Sequence, residues 1–202
     1  MKEKTIELEL RAEVLSENLK SIKSRLENLG TLHSHTKRLS IMYFGAIEEK
    51  KIDIRVRVTN GQSEVVIKSG SFGAHDRVEI AQPISLDQFI GFVRIFAQFG
   101  FTAKVGERET FNYSLSNDVV ASLVIAGTIA YIELEKMSLP EEVKGNIQEL
   151  KNIAEQLKLT LIDSENQFDE LCGRLDKTVD WPFNCSTDEC KRIEEILREY
   201  AK

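Results

Sequence analysis

No apolar run in this sequence approaches the roughly 20 residues needed to span a bilayer as a helix, so no membrane-spanning helix is expected. Basic residues are not in excess. Lys and Arg number 27 against 33 Asp and Glu, a net charge of −6, which argues against a general nucleic-acid binder. Cysteines are few, odd in number and late in the chain: Cys172, Cys185 and Cys190. Reduced thiols in a cytoplasmic protein are the simplest reading. Cys185 and Cys190 lack the close spacing of a zinc knuckle, and no second pair completes one. Met1-Lys2-Glu3-Lys4 leads straight into a strand, with no signal-peptide core. Ser69-Gly70-Ser71-Phe72-Gly73 lacks the Gly-Lys-Ser/Thr ending of a P-loop, so its glycines are turn residues. What remains is 202 residues with 42% hydrophobic and 30% charged side chains and no linker or low-complexity stretch, as expected of one soluble domain.

What is present is alternation. In Thr5–Arg11, Ile6, Leu8 and Leu10 face one way on an extended strand, and Glu7, Glu9 and Arg11 the other. Ile52, Ile54, Val56 and Val58 alternate with Asp53, Arg55 and Arg57. Val78 and Ile80 alternate with Arg77 and Glu79, and Ile132 and Leu134 with Glu133 and Glu135. A half-exposed sheet with a solvated charged face explains any one such strand. For four together, the preferred arrangement is a closed eight-stranded antiparallel barrel, with apolar faces outward against helices and charged faces lining the interior. Carboxylates and cations gathered in one cavity suit a divalent metal with phosphate.

Helices are expected along Leu15–Leu29, with Ser16 as a cap and Gly30 as a stop, and after the capping box Ser85-x-x-Gln88, with Phe89, Ile90, Val93, Phe96 and Ala97 on one face. Three more follow: one after Ser138-x-x-Glu141 with Val143, Ile147, Leu150, Ala154 and Leu157; a short one with Phe168, Leu171, Cys172 and Leu175; and a last one after Ser186-x-x-Glu189. Residues 31–44 alternate as a strand, and 45–50 form a polar turn. Asn60-Gly61 is a hairpin turn signal. Phe101–Tyr113 is a long strand with Lys104 and Arg108 on one face. Trp181-Pro182-Phe183 is an ordered turn. His33-x-His35 puts two imidazoles on one strand face. With no third ligand nearby, an exposed polar strand end is favoured over a metal pair.

The ordered series Glu7-x-Glu9-x-Arg11, Arg55-x-Arg57, Lys68, Arg77-x-Glu79, Lys104…Arg108 and Glu133-x-Glu135 resembles the CYTH family, the triphosphate tunnel metalloenzymes, over roughly residues 4–175. The resemblance implies a tunnel domain over 1–178 and places 179–202 outside it, as a helical extension packed on the same domain or on a partner subunit in a homodimer. It implies that Arg55, Arg57, Lys68, Arg77, Lys104 and Arg108 grip a triphosphate. It also implies that Glu7, Glu9, Glu79, Glu133 and Glu135 hold Mg2+ or Mn2+, and that Glu7, Glu9 and Arg11 serve catalysis. The implied ligand is a small triphosphate or nucleotide, with neither nucleic acid nor membrane as a partner.

The sequence departs from the family pattern at four places. Arg11 stands where the family usually carries Lys, and arginine cannot serve as a base. Ala81 replaces a carboxylate, Ser122–Gly127 contains no acid, and Gly45 follows Tyr43-Phe44 where an Asp is usual. The expected function is a metal-dependent phosphohydrolase acting on inorganic, nucleoside or thiamine triphosphate. The alternatives are a class IV adenylyl cyclase making cyclic AMP and a catalytically degenerate phosphate or nucleotide binder.

Overall fold

The structure, a computed structural model, describes residues 6–69 and 78–200. The strands are β1 (Ile6–Val14), β2 (Thr31–Ile47), β3 (Lys50–Thr59), β4 (Gln62–Ser69), β5 (Val78–Ile84), β6 (Thr102–Ser114), β7 (Val120–Ala126), β8 (Ile129–Ser138) and the two-residue β9 (Trp181–Pro182). The helices are α1 (Leu19–Leu29), α2 (Phe89–Ala97), α3 (Val143–Leu157), α4 (Glu165–Thr178) and α5 (Thr187–Tyr200). The fold class is α+β with an antiparallel sheet, as expected. Among the described residues, no helix is long and apolar enough to cross a membrane.

The chain divides into two compact units, and β2 and β6 contribute a part to each. The first unit comprises residues 1–35 and 109–179. Its strands follow the order β1-β8-β7-β6-β2. The alternation of β1 sends Leu8, Ala12 and Val14 into a core with Leu123, Ile132 and Leu134, and α1 and α3 close that core with Ile22, Leu26, Leu150 and Leu157. The opposite strand face is left to charged side chains.

The second unit comprises residues 36–108 and 180–202. Its order is β6-β2-β3-β4-β5, with β9 pairing to β6. Leu39, Ile41, Tyr43, Ile54, Val56 and Val58 pack against Phe89 and Val93 of α2 and against Cys190, Ile193 and Leu197 of α5. The Asn60-Gly61 turn joins β3 to β4 as expected, with both residues at positive φ.

The closed barrel is not formed. Among the described residues, β1 and β5 are the two ends of the strand order and no ladder joins them. A period-two pattern tells which faces are apolar, but it is the same whether the first and last strands pair or not. Smaller corrections follow local chemistry. β2 continues to Ile47, and the turn is confined to Glu48 and Glu49, both at positive φ. Ser16 lies within a short 3-10 turn and makes no cap. Ser138 donates to the Leu139 carbonyl and accepts from Asn146 instead of capping α3. The Ser85–Gln88 and Ser186–Glu189 boxes do form. Trp181-Pro182 is a strand, not a turn.

Candidate functional site

The charged face of the first unit is built across the β1–β8 ladder. The antiparallel register sets Glu9 opposite Glu135 and Arg11 opposite Glu133. Directly opposed residues share a face, so four charged groups meet. Glu9, Glu133 and Glu135 each bring a carboxylate oxygen within 4.8 Å of the others. Arg11 donates from Nε to Glu133 at 3.0 Å and pairs with Glu9. Its guanidinium lies 4.9 Å from the Phe168 ring centre of α4. Glu7 is exposed near the start of β1, opposite Met137.

The electrostatics follow from crowding. Burial pushes Glu9 up from 4.5 to about 8, and the Glu133 and Glu135 charges push the same way against the opposing pull of Arg11. For Arg11, burial alone would favour the neutral form, but Glu9 and Glu133 outweigh it and hold the guanidinium's pKa above its ordinary value. Arg11 is therefore a fixed charge. Three carboxyl groups meet one cation, and their hard oxygen donors suit Mg2+ or Mn2+.

The row running from Glu133 explains one departure from the family pattern. Ser122 stands opposite Glu133 and Asn112 opposite Ser122. Ser122 donates to Asn112 at 2.8 Å, and Asn112 donates to Ser34 at 2.9 Å. A neutral hydrogen-bonded row thus stands where an acidic segment was looked for. The two β2 histidines are polar strand-end residues: His33 bonds Ser114, and His35 bonds Glu109 at 2.7 Å while stacking on Phe111.

The charged face of the second unit carries the cations. Across β3–β4, Arg57 is opposite Glu64 and Asp53 opposite Lys68; across β4–β5, Lys68 is opposite Glu79. Arg55 makes a forked contact with Asp53 at 2.7–3.2 Å. Arg57 donates to Glu64 at 2.7 Å and lies 3.8 Å from Glu79. Lys68 pairs with Glu79 at 2.6 Å. Burial opposes ionisation of Glu79, but Lys68, Arg57 and Arg55 together bring its pKa below the ordinary value. Lys104 and Arg108 of β6 both contact Asp180, at 3.2 and 2.7 Å. Arg77 lies outside the described residues.

Two further departures have causes here. Ala81 is opposite Val66, itself fully buried and opposite Arg55, so the row beside Arg55 is apolar rather than acidic. A Cβ at Gly45 would stand 2.2 Å from the Phe101 ring, which leaves no room for the aspartate of the family pattern.

The structure thus brings Glu9, Arg11, Glu133 and Glu135 together in the first unit, and Arg55, Arg57, Lys68 and Glu79 in the second, with Lys104 and Arg108 gathered on Asp180. Sequence reasoning named Glu9, Glu79 and Glu133 among the site carboxylates but did not single out Asp53, Glu64 and Asp180, which also partner the cations. Asp53 and Glu64 were within reach: Asp53 shares the alternation of Arg55 and Arg57, and the two-residue turn sets Glu64 opposite Arg57. Asp180 gave no such signal, because a long-range pairing delivers it.

No protein-family model and no curated protein matches the sequence. Solved structures do match. The PH1012 protein from Pyrococcus horikoshii aligns at 23% identity and TM-score 0.59, over 77% of this chain and 92% of that one. A candidate adenylate cyclase from Vibrio parahaemolyticus aligns at 13% identity and TM-score 0.62, over 83% and 98%. A Hippeastrum protein first assigned as an adenylyl cyclase, and described as having a dominant triphosphatase activity, aligns at 16% identity and TM-score 0.50, over 85% and 96%. The chain shares the fold of these proteins.

Proposed function

We propose that this chain is a divalent-metal-dependent phosphohydrolase acting on a triphosphate. The observation that carries the reading is the convergence of Glu9, Glu133 and Glu135 beside a permanently charged Arg11. Glu9 and Glu133 are held by Arg11, and Glu135 completes the oxygen donor set for the ion. A bound Mg2+ or Mn2+ would neutralise charge on phosphate oxygens as the terminal phosphoryl leaves. In the second unit, Arg55, Arg57 and Lys68 are fork and point charges of the kind that bind phosphate oxygens, each already met by a carboxylate. Arg11 orients and neutralises; it does not take a proton. The charged group on the same face able to exchange one near neutral pH is Glu9. The wider likeness to proteins described as triphosphatases or adenylyl cyclases supports a triphosphate as ligand. A cytoplasmic location fits such a ligand.

A second reading has its own support. Arg55, Arg57, Lys68, Lys104 and Arg108 all engage carboxylates, and Ala81, Ser122 and Asn112 are neutral, so phosphate binding is better supplied with residues than hydrolysis is. The experiment is incubation with inorganic triphosphate, pyrophosphate, ATP and thiamine triphosphate, each with Mg2+ and Mn2+, with identification of products. Orthophosphate release supports the hydrolase. Cyclic AMP from ATP would replace it with a cyclase. A rise in melting temperature with triphosphate but no product would leave a binder.

A further inference from the structure

Lys104, Gly106 and Arg108 occupy alternate positions of β6 and so share one strand face. The C-terminal segment is registered against this strand. β9 pairs with it at Lys104↔Pro182 and Val105↔Trp181, and the Phe183 N–H donates to the Ala103 carbonyl. This registration delivers Asp180 between the two cations. Arg108 donates from Nη1 to Oδ1 at 2.7 Å and from Nη2 to Oδ2 at 3.1 Å, and Lys104 Nζ is 3.2 Å from Oδ2. The Asp180 side chain is 1% exposed, against 21% for Lys104 and 16% for Arg108, so the cations are the more accessible partners. Gly106 makes the room: a Cβ there would stand 2.6 Å from Asp180 Oδ1.

We propose that Asp180 is a built-in counter-anion that sets how tightly Lys104 and Arg108 take phosphate. The inference rests on the reading of those two cations as phosphate ligands. A phosphate reaching Lys104 and Arg108 meets their positive charges with the Asp180 carboxylate directly behind them. Coulomb attraction acts over the whole polyphosphate, whereas orientation of the cations is a local matter that an amide oxygen can still serve. The charge of Asp180 therefore outweighs its help in positioning. The carboxylate holds the two cations together in the unliganded chain and lowers their affinity for anions.

The test is calorimetric titration of inorganic triphosphate and of orthophosphate into the full-length chain at fixed salt, comparing the unaltered protein with Asp180→Asn and Gly106→Ala. Asp180→Asn keeps the shape and removes the charge; Gly106→Ala keeps the charge and crowds Asp180 Oδ1, the added Cβ also standing 2.8 Å from Met42 Cε and 3.1 Å from Arg108 Nη1. Triphosphate binding at least roughly tenfold tighter in Asp180→Asn, with a smaller tightening for orthophosphate, is the expected result. Gly106→Ala is expected to shift the same way by less, and it decides the matter if circular dichroism shows Asp180→Asn unfolded. Affinity in the deciding variant equal to or weaker than that of a binding-competent unaltered chain overturns the inference and leaves phosphate binding standing. Absence of triphosphate binding by the unaltered chain overturns both.

Discussion

The crowding of Glu9 makes a prediction about stability that requires no substrate. In the folded chain Glu9 loses its proton near pH 8 instead of 4.5, because burial and the carboxylates of Glu133 and Glu135 oppose its charge. Between those values the folded state holds a proton that the unfolded state has released. Stability is therefore greatest below pH 4.5 for this group and is lost as pH rises through about 8. At about 1.36 kcal/mol per pH unit the full effect would be roughly 4–5 kcal/mol, and solvent screening brings it to about 2–3 kcal/mol. The side chain is 27% exposed, which is why that screening applies. For a chain of this size that is a fall in melting temperature of roughly 5–10 °C. The assay is thermal unfolding followed by circular dichroism from pH 5 to 8.5 in a chelator. Glu9→Gln should flatten the fall, since a neutral amide has no proton to lose. Glu79 works in the opposite sense, its contribution being lost as pH falls below the ordinary carboxylate range, and so it does not obscure this window. An equal slope in the two proteins would refute the assignment of the crowding to Glu9.

Other perturbations have defined outcomes. Added Mn2+ at pH 8 should raise the melting temperature of the unaltered chain, and Glu133→Gln should abolish that rise in the same scan. The double variant Arg55→Ala, Arg57→Ala should lose the thermal shift produced by triphosphate; an undiminished shift would remove these residues from the phosphate set. The two buried tyrosines should behave oppositely. The Tyr43 hydroxyl donates to the Val93 carbonyl at 2.7 Å, so Tyr43→Phe should cost about 1 kcal/mol in urea unfolding. The Tyr113 hydroxyl is buried without a partner among the described residues, so Tyr113→Phe should cost nothing or stabilise by about 1 kcal/mol.

The alternation of β1, β3 and β8 made their polar faces legible because a strand's two faces are a local property of sequence. The same locality set its limits. Whether β1 meets β5 depends on how the strands pair over the whole chain, and no residue in either strand encodes it. The metal-site candidates Glu9, Glu133 and Glu135 were readable because their strands were correctly phased, although their opposition is a matter of register. Arg11 stood out as a departure, and its clamp on Glu9 and Glu133 accounts for it. Gly45 looked like a lost acid and is a packing necessity under Phe101. Asp180 was invisible because its importance comes from β9, a two-residue strand too short to show any period.

Release of orthophosphate from inorganic triphosphate, followed over time with Mn2+, with Mg2+ and with chelator, tests the central claim most directly. Turnover with either ion, none with chelator, and its loss in Glu133→Gln are the predicted results. No release with either ion, even at enzyme concentrations comparable to substrate, would contradict a metal-dependent hydrolase.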